Sequence, residues 1–254
     1  MSRPEISLSL VSHGHVAEVR NLLSDLERLA PGGIEVLLTL NSSADASLRN
    51  ALAGQAGRVI VNPAPRGFGA NHNAAFRASN GVYFCVINPD IRLAANAFPA
   101  LLAALRDERV GIAGPRVFDS QGLAQRNFRK VPTPARLFKR ALSGEDDYDY
   151  EHPVAGEVEW LAGMFMLFRR DLFESLGGFD ERYFLYYEDV DICCRARLAG
   201  WKVWLEPAAS VVHDARWASH HNPKFALWHA RSLLRFWLSP VYRQLWMRPA
   251  NSSF

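Results

Sequence analysis

The chain has 254 residues, 49% of them hydrophobic and 22% charged, with a formal net charge of +3. This length allows one large domain or two closely packed halves, and so small a charge argues against a nucleic-acid binder, which needs a basic face or stripe. Its three cysteines, Cys85, Cys193 and Cys194, lack CxxC spacing, which argues against a disulfide framework or structural zinc site and fits a reducing cytosol.

The amino-terminal residues run into a strand-like segment without the apolar stretch of a signal peptide. No segment reaches the roughly 18 apolar residues needed to span a bilayer. The expected location is cytoplasmic, either free or touching the inner membrane from that side. Ile6 to Val11 reads as a strand and Val16 to Leu29 as a helix. Ile34 to Leu40 is a second strand, and Asn41-Ser42-Ser43 ends it and can cap the next helix. Arg58 to Val61 is a third strand, Asn71 to Ser79 a helix, and Val82 to Ile87 a fourth strand. Continuous apolar strands separated by helical patterns predict βαβ units in a mostly parallel sheet. Right-handed crossovers bring the strand ends to one edge, where open α/β sheets bind ligands. Ser12-His13-Gly14-His15, Asn41-Ser42-Ser43 and Asn88-Pro89-Asp90 all fall at that edge.

From Gln125 to Pro153 the pattern dissolves. Arg126, Arg129, Lys130, Arg136, Lys139 and Arg140 come first, and Glu145, Asp146, Asp147, Asp149 and Glu151 follow. This reads as a long loop, with or without a short helix: a lid, an anion contact, or a solvated loop whose charge blocks attract each other. A buried strand is expected over Glu159 to Phe168, and a helix over Glu188 to Ala199, stopped by Gly200. Trp201 to Leu205 and Ser210 to Val212 read as short strands, and Pro223 to Trp246 as a helical tail. Trp217, Phe225, Trp228, Phe236, Trp237 and Trp246 either pack that tail onto the core or meet a membrane interface beside Arg231, Arg235 and Arg243.

Asp90 reads in two ways. It is a turn or cap residue behind Asn88 and Pro89, or a ligand for a hard divalent cation bridging diphosphate oxygens. Glu188, Asp189 and Asp191 crowd one helix start after the aromatic run Tyr183 to Tyr187. One acid can complement the helix dipole and Asp191 can pair with Arg195 four residues on, which leaves a third carboxylate for general-base work. Gly67, Phe68, Gly69, Asn71 and Asn73 form either a flexible strand-to-helix loop or an anion cradle. His213 follows a strand and serves as a structural hydrogen-bonder or as a further metal or phosphate contact.

In order, these segments resemble the inverting glycosyltransferase family 2, with the GT-A fold, and most closely its rhamnosyltransferase-like branch. The resemblance runs from Leu8 to about Phe236. It rests on Asn41-Ser42-Ser43-Ala44-Asp45, Arg66-Gly67-Phe68-Gly69 with Asn71 and Asn73, Asn88-Pro89-Asp90, Gly177-Gly178-Phe179-Asp180-Glu181, and Glu188-Asp189 with Asp191 and Arg195. Gly200-Trp201, Pro207 and His213 continue it in register.

The resemblance implies a mostly parallel Rossmann-like α/β sheet with an acceptor-side half and C-terminal helices. Residues 1–118 would form the nucleotide-sugar half, 119–215 the acceptor and catalytic half, and 216–254 a helical extension. It implies Mg²⁺ or Mn²⁺ held by Asp90, with His213 near the metal or diphosphate. Asp189 would be the general base, supported by Glu188. Ser12, His13, Asn41, Ser43, Gly67, Phe68, Asn71, Asn73 and Asn88 would line the donor site together with Asp90. The donor would be a dTDP- or UDP-sugar, and the acceptor a glycan or lipid-linked sugar of a cell-surface polysaccharide. Leu40 stands where the family usually has the Asp that recognises the pyrimidine, and a leucine accepts no hydrogen bond. The rivals are a nucleotidyltransferase, which lacks its basic Gly-rich loop at Ser12 to His15, and a catalytically idle sugar-nucleotide module, which Leu40 favours and the acids oppose.

Overall fold

The computed structural model describes residues 3–30, 32–53, 55–143, 154–213 and 223–247. In the first half, β1 (Ile6–Ser12), α1 (Val16–Leu29), β2 (Ile34–Leu40), β3 (Gly57–Val61), α2 (Phe68–Arg77) and β4 (Tyr83–Ile87) alternate along the chain. A 3₁₀ helix over Ser43–Leu48 stands where a capped helix is expected, and Ser42 caps it by accepting from the Ala44 amide. Strands β5 (Ile91–Arg92) and β6 (Val110–Phe118) flank α3 (Phe98–Ala104). Then come β7 (Phe128–Arg129), α4 (Pro134–Ser143), β8 (Gly156–Glu157), β9 (Trp160–Leu161), β10 (Phe165–Arg169) and α5 (Arg170–Ser175). The chain closes with α6 (Glu188–Leu198), β11 (Lys202–His213), α7 (Pro223–Trp237) and α8 (Pro240–Met247).

Among the described residues one nine-stranded sheet runs β3-β2-β1-β4-β10-β6-β11-β5, with β8 beside β11. Strands β3, β2, β1 and β4 are parallel, and β11 is parallel to β6. Strand β10 runs against both neighbours, β4 and β6. The ends of β1, β2, β4, β6 and β11 therefore share one edge with the start of β10.

Alternation along β4 explains why the sheet is covered on both faces. Cys85 and Ile87 join one apolar cluster with α1 and α3, while Phe84 and Val86 join another with α2, α5 and α6. A third cluster sets Phe236 and Tyr242 of the last two helices against Val190 and Cys194 of α6. Complete burial of rings such as Phe84, Phe168 and Phe173 contributes roughly 1.5–3 kcal/mol each.

Other elements also differ from expectation. Helix α2 begins at Phe68, because Gly67 sits extended before it (φ −64°, ψ 162°). The strand over Glu159 to Phe168 is two pieces: β9 pairs with β7, and β10 joins the main sheet after a break at Ala162-Gly163-Met164. The two short strands after Gly200 are one, β11, with an irregularity between Glu206 and Ser210 where Pro207 withholds an amide. The patternless stretch after Gln125 holds β7 and α4; its acidic block and Trp217 lie outside the described residues.

Candidate active site

Ser12, at the end of β1, donates its hydroxyl to Asp45 Oδ1 (2.5 Å), and the Gly14 amide joins the same oxygen at 2.9 Å. Gly14 makes this turn with φ +84°, a conformation costly for a residue with a Cβ. Asp45 Oδ2 is buried and has no partner among the described residues. His13 is exposed beside this turn, and Ser43 is exposed at the start of the 3₁₀ helix.

Asn41 accepts from the Arg66 amide (2.8 Å) and returns its own amide to the Arg66 carbonyl (2.9 Å). Asn62 bridges Asn41 Oδ1 and Asn71 Oδ1, and Asn71 also donates to the Arg66 carbonyl. Asn73 reads both backbone groups of Phe179, at 2.9 and 2.8 Å. These asparagines therefore hold the glycine loop and the Gly178-Phe179 turn in place. Gly67 and Gly69 do the same by their smallness: a Cβ at either would sit 2.7 Å from Phe184 or Phe179 atoms. His72 lies between Phe68 and Phe179, bonds to Ser9 at 2.8 Å, and is kept neutral by burial, its pKa lowered to about 3.

Asp90 follows β4 at the edge. Strand β5 pairs Ile91 with His213 at the end of β11, and this pairing brings His213 Nε2 to 3.2 Å from Asp90 Oδ2. Asp90 Oδ1 is buried with no partner among the described residues. Gln125 fixes the histidine through Nδ1 (2.8 Å) and the His213 carbonyl (2.8 Å). Arg92 in turn anchors β5 on the buried Asp25 of α1, with bonds of 2.7 and 3.0 Å. That guanidinium is the main reason the Asp25 carboxyl titrates below its usual range.

The acids open α6. Tyr186 and Tyr187 precede them with φ +69° each, a left-handed pair that costs roughly 1–3 kcal/mol per residue and that surrounding packing must hold. His229 of α7 supplies that packing, its ring 5.3 and 5.2 Å from the two tyrosine rings. Glu188 is buried, its Oε2 has no partner among the described residues, and burial next to Asp189 holds its carboxyl well above the ordinary range. Asp189 keeps an accessible side. Burial raises its pKa against the pull of the Gly163 amide (3.0 Å) and the Val190 amide (2.8 Å). Asp191 pairs with Arg195 at 2.7 Å, and Arg195 also caps the Leu176 and Gly178 carbonyls. This pair is structural, as the spacing suggests.

The break before β10 joins the two acidic groups. The Gly163 amide binds Asp189, and the next residue, Met164, accepts from the Asn88 amide at 2.9 Å. The Asn88-Pro89-Asp90 segment and a carboxylate of raised proton affinity are thus tied to one short stretch of backbone at the sheet edge. Among the described residues no cluster of three or more His, Cys, Asp and Glu could hold a metal alone. Asp90 and His213 fit a hard cation that takes its remaining ligands from diphosphate and water.

Sequence reasoning passed over Gln125, Gly163, Asp25 and His229. Asp45 carried a signal in its family segment; Gln125 carried none.

Such an α/β sheet, with its acids gathered at the strand ends, has the GT-A architecture. A solved mannosyltransferase of Pyrobaculum calidifontis, in complex with GDP-Man and Mn²⁺, superposes with a TM-score of 0.66 at 15% identity, over 98% of this chain and 66% of that one. The glycosyl transferase family 2 profile matches residues 10–177, and the chain belongs to that family. The rhamnosyltransferase WbbL of Escherichia coli K12 is 27% identical over 91% of this chain and 92% of its own length. The N-acetylglucosaminyl-diphospho-decaprenol L-rhamnosyltransferase of Mycobacterium tuberculosis is 29% identical over 84% of this chain and 77% of its own.

Proposed function

We propose that this glycosyltransferase moves a sugar, rhamnose on the strength of its relatives, from a dTDP- or UDP-linked donor to a glycan or lipid-linked acceptor, with inversion. The observation that carries this reading is the link from Asp189 to the Asn88-Pro89-Asp90 segment through Gly163 and Met164, with His213 beside Asp90. Asp90 and His213 would hold Mg²⁺ or Mn²⁺, which neutralises charge on the leaving nucleoside diphosphate. Ser12, His13, Asn41, Ser43, Gly67, Phe68, Asn71, Asn73 and Asn88 are assigned to the donor side, several acting by shaping loops. Asp189 accepts the proton of the acceptor hydroxyl, and attack opposite the leaving group inverts the anomeric carbon. Glu188, buried beside Asp189 with its carboxyl held well above the ordinary range, supports the base.

We assign residues 1–118 to the donor half, 119–215 to the acceptor half and 216–254 to an extension, in a protein working on the cytoplasmic side. The test is nucleoside diphosphate release from a panel of sugar nucleotides with Mn²⁺ or Mg²⁺ and candidate acceptors. Tight donor binding without release across the panel would replace this reading with an idle sugar-nucleotide module. Leu40 is the observation favouring that module: it is buried in the apolar core and offers a base nothing to bond.

A further inference from the structure

Helices α4, α7 and α8 carry seven of the 29 basic residues (Arg136, Lys139, Arg140, Lys224, Arg231, Arg235 and Arg243) and none of the 26 acidic ones. That leaves 22 basic residues against all 26 acidic ones on the rest of the chain, so the small net charge hides a strong segregation.

The same helices expose large apolar side chains. Phe138 and Leu142 on α4, Leu227 and Leu234 on α7, Leu238 just past its end, and Trp246 and Met247 on α8 are each 56–80% exposed. The apolar faces that pack inward are different ones, built on Phe236 and Tyr242. Along α7 and the residue after it, the exposed leucines 227, 234 and 238 recur at seven and four residues and form one stripe; on α4 the exposed pair is four apart.

The three helices adjoin. Pro134 and Ala135 of α4, Trp237 of α7 and Trp246 and Met247 of α8 line one open groove of about 550 Å³. Trp237 Nε1 ties α7 to the segment before α4 by donating to the Pro132 carbonyl (2.9 Å). Among the described residues no helix is long and apolar enough to cross a membrane.

We propose that α4, α7 and α8 form one docking face for an anionic phospholipid surface. Cations attract the headgroups, and the leucine, phenylalanine and tryptophan side chains enter the boundary between headgroups and acyl chains. A protein partner would need acids placed to match; an anionic leaflet supplies them everywhere. Helix α7 also carries the face to the chemistry. His229 packs on Tyr186 and Tyr187, and Ser232 donates to the Leu185 carbonyl (2.9 Å), just before Glu188 and Asp189. The purpose of docking, delivery of a lipid-linked acceptor to Asp189, rests on the proposed function; the binding itself does not.

The test is flotation of the full chain with phosphatidylcholine vesicles, with and without phosphatidylglycerol. Binding is expected only to the anionic vesicles and should weaken with salt. Arg231→Gln/Arg243→Gln should weaken it about 25-fold, at about fivefold per cation. Leu238→Glu/Trp246→Glu should abolish it. All four side chains are exposed or partly exposed, so melting temperature and nucleoside diphosphate release with a water-soluble acceptor should match the parent chain. Equal binding to neutral vesicles, binding to neither, or unchanged binding of both variants overturns the proposal. So does a dimer in light scattering that Leu238→Glu/Trp246→Glu dissolves, which would make the face a contact between copies. If the parent chain floats but releases no nucleoside diphosphate, sugar transfer fails and the docking face stands.

Discussion

Asn41, Asn71 and Asn73 share a sheet edge with Asp90, Glu188 and Asp189, yet the two sets use their polar atoms differently. Each asparagine bonds backbone or another asparagine: Asn41 with Arg66, Asn71 with Arg66 and Asn62, Asn73 with Phe179. The acids are incompletely matched. Asp90 and Glu188 each keep a buried oxygen without a partner among the described residues, and Asp189 accepts from two amides while the Arg129 charge also favours its ionised form. Unmatched buried oxygens cost about 1–3 kcal/mol or more each and persist where something else is gained. The lesson is that polar residues at this edge divide into those that build the crevice and those that keep unmatched oxygens.

Substitutions can break or sharpen this division. Asp189→Asn should lower kcat about 100- to 10,000-fold while donor affinity stays within about twofold. In the parent chain, transfer should rise with pH through a pKa above the ordinary aspartate range, because only the ionised carboxylate accepts a proton. Retained turnover in the variant would move the base elsewhere. Asn73→Ala should instead cost stability, about 2–4 kcal/mol in denaturant, since it strands the buried amide and carbonyl of Phe179. An unaltered melt would erase the contrast between builders and open acids. Gln125→Leu frees the His213 ring and should weaken Mn²⁺-dependent donor binding about 10- to 100-fold. An unchanged metal titration takes His213 out of the site.

Glu188→Gln gives the smallest effect. Burial raises the folded pKa of Glu188 above its unfolded value, so the folded chain holds the proton more tightly. Stability then falls as pH rises from the unfolded towards the folded pKa. The glutamine variant should melt a few degrees higher near neutral pH, at about 2–4 °C per kcal/mol relieved. That gain should vanish near about pH 4, where the unfolded glutamate is also largely protonated. A constant gain at both pH values would show that charge is not its source.

The alternating half of the fold is legible because period and punctuation are local: Leu8, Leu10, Leu38 and Ile87 announce buried strands, and glycines and asparagines end them. Strand β6 and helix α3 escape the reading because Gly111, Gly114 and Pro115 interrupt β6, while α3 is a short alanine- and leucine-rich run. The glycines there are required by neighbours distant in sequence: a Cβ on Gly111 would lie 2.3 Å from Leu172. The motif acids are legible through family likeness and crowding. Their supports are not, because Gln125 meets His213 across 88 residues and the Gly163 amide meets Asp189 across 26.

Gly163 also bears on redesign. A Cβ there would press on the Phe68 ring at 3.1 Å and sit in ordinary contact with the Asp189 Cβ at 3.5 Å. Phe68 begins α2, and Asp189 lies in the first turn of α6. The lack of a side chain at 163 therefore lets Phe68 and Asp189 flank the same stretch of backbone. A library that recasts the Phe68 loop for a new sugar nucleotide should leave Gly163 and Asp189 fixed, because a side chain at 163 would meet the Phe68 ring.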